Sequence, residues 1–173
     1  VPESPTELIG QSLCFKVSII DATDLPVNFC RNLKVEYQTF YDRQVNSTKL
    51  YNENDSNWYA GIKGRAISGV SAEATKGTLR YRVHLVNGMW LGWMTKFDRS
   101  NWVNGVAGIA GRNIDAIQME LVGVPGYQIE YRVGTYRTKG YLNWIRGYGA
   151  GSMGYAGIYG QNIDRIQMRI VKV

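Results

Sequence analysis

The sequence predicts an all-β fold: three repeats of about 47 residues around a pseudo-threefold axis, β-prism-like, with a β-trefoil as the alternative. Three observations predict it. The motif Ala-Gly-Ile-x-Gly occurs at residues 60–64, 107–111 and 156–160, so the copies start 47 and 49 residues apart. Apolar residues around each copy alternate with period two, as in half-buried antiparallel strands. No stretch carries a convincing amphipathic helical pattern.

Residues 1–33 lie outside the repeat. The opening VPESPTE reads as the linker-like entry of an excised fragment or mature product. SLCFKVSII then reads as an extra strand, and DATDLPVNF as a turn into repeat one. The only cysteines, Cys14 and Cys30, fall here; a disulfide and two buried thiols are both compatible with the spacing. The repeat domain spans 34–173, divided at 34–77, 78–126 and 127–173.

Each repeat opens with an apolar-charged-Tyr triplet: Val35-Glu36-Tyr37, Leu79-Arg80-Tyr81 and Ile129-Glu130-Tyr131. In TLRYRVHL, Leu79, Tyr81, Val83 and Leu85 share one face, while Arg80, Arg82 and His84 share the other. WLGWMTK follows as a short aromatic strand, then a Gly-rich turn and the Ala-Gly-Ile-x-Gly motif. The motif glycines suit positive φ or close strand approach. After each motif comes a pair of apolar residues: Ile67 and Val70, Ile114 and Ile117, Ile163 and Ile166. In AIQMELV, Ile117, Met119 and Leu121 alternate with outward Gln118 and Glu120. One such repeat cannot bury its apolar face alone, whereas three can share a core. Three blades are too few for a propeller.

Candidate binding residues recur at matching places. Trp90 and Trp93 match Tyr141 and Trp144. Residues three apart in a regular strand face opposite sides, so at most one of each pair reaches the core unless a bulge at Gly92 intervenes. An exposed ring offers a face for a sugar to stack on, and a buried one fills the core; both readings stand. Asp115 and Asp164 suit an Asx-type bond to their own turn more than a ligand. Gln118 and Gln167, on the outward phase, suit hydrogen bonds to sugar hydroxyls or peptide amides. His84 and Arg82 lie on the same outward face; Arg80, Arg82, Arg132 and Arg137 suit solvated strand faces more than donors to a phosphate or carboxylate. Asn113 and Asn162 serve the turn before the long strand.

The chain carries 20 Lys and Arg against 14 Asp and Glu, a net charge of +6, which favours anionic partners. The basic residues are scattered, so no nucleic-acid arm or lipid anchor is expected. No apolar run reaches the roughly 18 residues of a membrane span. A single histidine and no CxxC argue against a metal site, and no cofactor is implied. GYGAGSMG, residues 147–154, lacks the lysine and strand-to-helix context of a phosphate loop. No nucleophile elbow or paired Cys and His suggests catalysis.

YRVHLVNGMWLGWMTK followed by VNGVAGIAGRNIDAIQMEL resembles the C-terminal cell-wall-binding region of enterolysin A and related phage endolysins. More distantly, the Tyr-x-x-His…Trp…Ala-Gly…Gly…Ile-x-x-Ile order is similar to the tryptophan-bearing clostridial hydrophobic repeats. The likeness covers roughly residues 34–173 and is densest in repeats two and three. It implies a non-catalytic, extracellular module that attaches a peptidoglycan-cleaving domain to Gram-positive walls. The chain departs from that pattern in places. Met89 separates Gly88 from Trp90, Tyr141 follows Gly140 in repeat three at the place of that tryptophan, and Ser68 and Ser71 stand where later copies have Asp and Gln. A free-standing glycan hydrolase or lectin-like effector is the alternative expectation.

Overall fold

A computed structural model describes residues 34–41, 44–45, 50–51, 59–98, 100–148 and 154–173. Cys14, Cys30 and the expected strand SLCFKVSII lie outside the described residues. Those described form strands and connections with no helix, so the chain is all-β with several antiparallel sheets.

Three sheets are built on the long strand pairs. Strand β1 (Val35–Tyr41) pairs with β5 (Gly69–Ala74), and the short β2 (Gln44–Val45) and β3 (Leu50–Tyr51) also lie on β1. Strand β6 (Thr78–Leu85) pairs with β8 (Ile114–Val122). Strand β9 (Tyr127–Thr135) pairs with β12 (Ile163–Lys172) and carries β10 (Ile145–Arg146) on its other edge. The remaining strands, β4 (Ala60–Gly61), β7 (Ala107–Gly108) and β11 (Ala156–Gly157), are the starts of the recurring motif.

These motif strands do not stay with their own repeat. β4 of repeat one joins β12 of repeat three, β7 of repeat two joins β5 of repeat one, and β11 of repeat three joins β8 of repeat two. The three exchanges close a ring. Glycine makes the crossing possible. A Cβ on Gly61 would lie 2.2 Å from the Asp164 carbonyl oxygen, and on Gly108 and Gly157 it would lie 2.1 Å from those of Ser68 and Asp115. All three also hold positive φ, which disfavours any side chain. Near the centre, the Ile67 amide donates to the Ile163 carbonyl (2.9 Å) and Ile114 to Ile67 (3.1 Å), linking one position across three repeats.

The core is the inward phase of the long strands. Leu79, Tyr81, Val83 and Leu85 are buried as expected, with Ile117, Met119 and Leu121 opposite. The triplet tyrosines Tyr37, Tyr81 and Tyr131 are fully buried. Two of their hydroxyls bridge matching loops: Tyr81 donates to the Lys96 and Gly105 carbonyls, and Tyr131 to those of Gly147 and Gly154. A buried phenol needs such acceptors.

WLGWMTK departs from the expected strand. Trp90 bridges His84 and Met94 bridges Tyr81, so three steps along β6 answer four on the returning chain. The extra residue is a bulge, and it puts Trp90 and Trp93 on the same side of the sheet while Leu91 and Met94 pack against the core. Repeat three repeats it: Leu142 bonds Val133 and Ile145 pairs with Tyr131, leaving Tyr141 and Trp144 outside.

Candidate functional site

The outward faces of repeats two and three each carry a ladder of rings and guanidinium groups. In repeat two, the Arg82 guanidinium lies 5.0 Å from the Trp90 ring centre and 4.5 Å from that of Trp93. Arg80 lies 4.0 Å from Trp93. Alternate residues on a strand stand roughly 7 Å apart on one face, the gap one indole fills. The order is therefore Trp90, Arg82, Trp93, Arg80, with His84 edge-on to Trp90 at 5.3 Å.

Repeat three builds the same order from other residues. Arg132 lies 4.3 Å from Tyr141 and 4.5 Å from Trp144, and Arg169 lies 3.9 Å from Trp144. Arg165 takes the place of His84, 5.5 Å from Tyr141. Each contact of a guanidinium with an indole face is worth about 0.5–2 kcal/mol, depending on desolvation.

The glutamines brace these ladders from below. Arg82 Nε donates to Gln118 Oε1 at 2.7 Å, and Arg132 Nε to Gln167 Oε1 at 2.8 Å. Both glutamines are buried, not surface groups awaiting a ligand as the strand phase suggested. The aromatic side chains above the sheet cover its outward face, so β8 and β12 are buried on both sides over Ile114–Met119 and Ile163–Met168.

Asp115 and Asp164 correct a second expectation. Neither caps its own turn. Asp115 Oδ2 accepts from the Gly160 amide of repeat three, and Asp164 Oδ2 from the Gly64 amide of repeat one, both at 2.8 Å. They are fully buried and fasten the crossing motif strands. Their other oxygens meet side chains: Asp115 Oδ1 lies 2.6 Å from His84 Nδ1, and Asp164 Oδ1 accepts from Arg165 Nε at 2.8 Å. Trp90, Trp93, Tyr141 and Trp144 fill no core and offer no fully bare face; each is half-buried within a ladder.

Of the residues singled out in repeat two, His84, Arg82, Arg80, Trp90, Trp93, Asp115 and Gln118 thus join one cluster. Tyr141, Trp144, Asp164 and Gln167 join the other. Arg137 stays exposed, away from both ladders. Sequence reasoning missed the rings contributed across the repeat boundary. Tyr159 stacks on His84 at 4.1 Å and accepts from Trp90 Nε1 at 2.8 Å. Tyr155 stacks on Tyr159, and Tyr148 meets Trp93 edge-on at 5.3 Å. Tyr148 also lines an open groove of about 420 Å³ with Glu120, Gln128, Arg146, Gly147 and Val173. The signal for Tyr159 was its place in the motif, where the other copies read Lys63 and Ala110.

Charge is unevenly neutralised. Glu130 accepts from both Arg146 and Arg169, each pair at 2.8 Å. Burial alone would raise the Glu130 carboxyl, but the bonds from Arg169 and Arg146 outweigh it and hold the carboxyl below its usual range. Arg165 is tied to Asp164 and to the Thr135 and Thr138 carbonyls. Among the described residues, Arg82 and Arg132 have no carboxylate partner; each is fixed only by a neutral amide and by rings. No group of three or more His, Cys, Asp or Glu among the described residues is arranged to hold a metal ion.

Scans against protein-family models, curated proteins and solved structures found no match for this chain.

Proposed function

We propose that this chain is a non-catalytic wall-binding module of a peptidoglycan hydrolase, an endolysin or bacteriolysin, that works outside the cell on Gram-positive walls. We further propose that its three sheets are the faces of a β-prism related by a pseudo-threefold axis. One observation carries the binding reading: the same ladder is built twice, by different residues, on the outward face of two repeats. Repeat one lacks the arginine–glutamine pair at the matching register. Gln38 stands opposite Ser71 where the other copies place Arg82 opposite Gln118 and Arg132 opposite Gln167. That pair is thus not required to make the sheet.

Two matched sites suit a repetitive polymer. Each is shallow and weak alone, and joint engagement raises the apparent affinity greatly. Repeat one contributes scaffold and the closing strand β4. The reading needs no cofactor and no nucleic-acid or membrane contact. The test is co-sedimentation with purified Gram-positive walls, before and after chemical removal of the secondary polymers. Retention on either preparation supports the reading. No retention on both, or release of soluble wall fragments by this chain alone, sinks it; the second outcome favours the hydrolase alternative.

A further inference from the structure

The wall-binding reading leaves open what the ladders recognise. A ring face held between guanidinium groups is closed to a sugar, so stacking is not what the inner rungs offer. What they offer is the edge of the guanidinium. Arg presents five N–H donors in one plane; stacking uses the faces of that plane and none of the donors. In each ladder the glutamine takes only Nε–H. The Nη donors of Arg82 and Arg132 face no carboxylate among the described residues, although their neighbours Arg146, Arg165 and Arg169 are all neutralised.

We propose that Arg82 and Arg132 form two equivalent oxyanion sites, each binding a carboxylate or phosphate borne on a sugar or polyol; the inference rests on the wall-binding reading.

The two repeats support it by preserving the arrangement while exchanging the strands that supply it. Arg80 pairs across the ladder with Glu120, and in repeat three the order is inverted, Glu130 with Arg169. In both cases it is the arginine that stacks on the inner indole, Trp93 or Trp144. A second guanidinium thus stands one rung from Arg82 and from Arg132, that of Arg169 already paired with Glu130. Burial makes the Arg132 guanidinium a weaker base than an ordinary arginine; the Tyr141 phenol opposes this, and the charge of Arg169 adds to it. The fixed plane of each guanidinium pre-orients two parallel N–H bonds for a planar or tetrahedral oxyanion. At the repeat-two site, Tyr148 borders the groove of about 420 Å³, room for the sugar or polyol that carries it.

The test follows the indole N–H signals of Trp90, Trp93 and Trp144 by NMR. The whole chain is titrated with N-acetylmuramic acid, with glycerol 3-phosphate and with neutral N-acetylglucosamine. The expected result is two equivalent sites for at least one charged probe, and binding of the neutral sugar weaker by about tenfold or more. Response to the first probe alone assigns a carboxylate source, and to the second alone a phosphate source. Gln118→Glu and Gln167→Glu keep side-chain shape and place a carboxylate on Arg82 and Arg132. Each is expected to abolish one site, and the pair both. Equal response to neutral and charged probes, or no response to either charged probe, overturns the proposal. The probe comparison needs no substitution and stands if a variant fails to fold. Walls that retain the chain while both charged probes fail would leave wall binding intact and remove the oxyanion sites. Two-site probe binding without wall retention would do the reverse.

Discussion

His84 Nδ1 and Arg165 Nε do the same job from opposite strands. Each meets the inner oxygen of a buried aspartate, Asp115 at 2.6 Å and Asp164 at 2.8 Å. His84 pairs with Ala116 across its ladder, and Arg165 with Gly134 across its own. In each pair one residue fills the space and the other makes room. A Cβ on Gly134 would lie 2.5 Å from the Arg165 guanidinium carbon. Repeat one has the same pairing without charge: Phe40 opposite Gly69, beside Ser68, with Trp102 packed edge-on against the ring. Where the aspartate is gone, so is its nitrogen donor.

That relationship predicts a coupled pair of substitutions. His84→Gly strips Asp115 of a donor and removes a stacked ring, a loss of about 2–4 kcal/mol. Ala116→Arg alone crowds His84 and also destabilises. Together they recreate the repeat-three arrangement, and the double variant should be more stable than the sum of the two by about 1–3 kcal/mol. Urea unfolding of the four proteins measures it. Simple additivity would mean that the two strands do not share one site.

The recurring motif should respond unequally to alanine at its two glycines. Gly157→Ala drives a Cβ into the Asp115 carbonyl at φ +128°, a cost of roughly 2–5 kcal/mol. Gly160 has positive φ but open space around it, so Gly160→Ala should cost only about 1–2 kcal/mol. Thermal unfolding separates them. Equal costs would show that close strand approach is not what Gly157 provides.

Stability should fall in strong alkali. Burial pushes the Tyr81 phenol up to about 12, and the Tyr131 phenol is raised in the same direction. An unfolded tyrosine titrates near 10. A raised folded value means that the stabilisation is complete below about pH 10 and is lost as pH climbs toward 12, roughly 2–3 kcal/mol for Tyr81. Tyrosinate absorbance should therefore rise together with unfolding. Two phenols titrating freely near pH 10 in the folded protein would contradict their burial.

Acid should act through Glu130. Its carboxyl is held below its ordinary 4.5 because the Arg169 and Arg146 bonds outweigh burial. The stabilisation it lends is present above that ordinary value and is lost as pH falls through the lowered one. Glu130→Gln should flatten this acid limb while lowering stability at neutral pH. An unchanged acid profile in the variant would assign the loss to other carboxylates.

The sequence by itself determined the all-β class and the inward set of the long strands. Each of these follows from local rules: a period of two, a recurring glycine motif, and the requirement that Leu79, Tyr81 and Val83 leave water together. It also picked out the residues that meet in the two clusters, because the motif repeats their spacing. Their roles were not legible. Strand phase places Gln118 outward, but it says only which face a residue takes, not what later covers that face. Asp115 was assigned to its own turn because nothing local reveals that Gly160, 45 residues on, crosses to its sheet. Trp90 and Trp93 came to one side only through a bulge that alternation does not encode. Such features depend on which strand lies beside which, and only the tertiary structure decides that. The exchange of Arg80 for Arg169 and of His84 for Arg165 makes the physical reason plain. Packing and charge select what occupies a place in space, and two different positions in the chain can supply it.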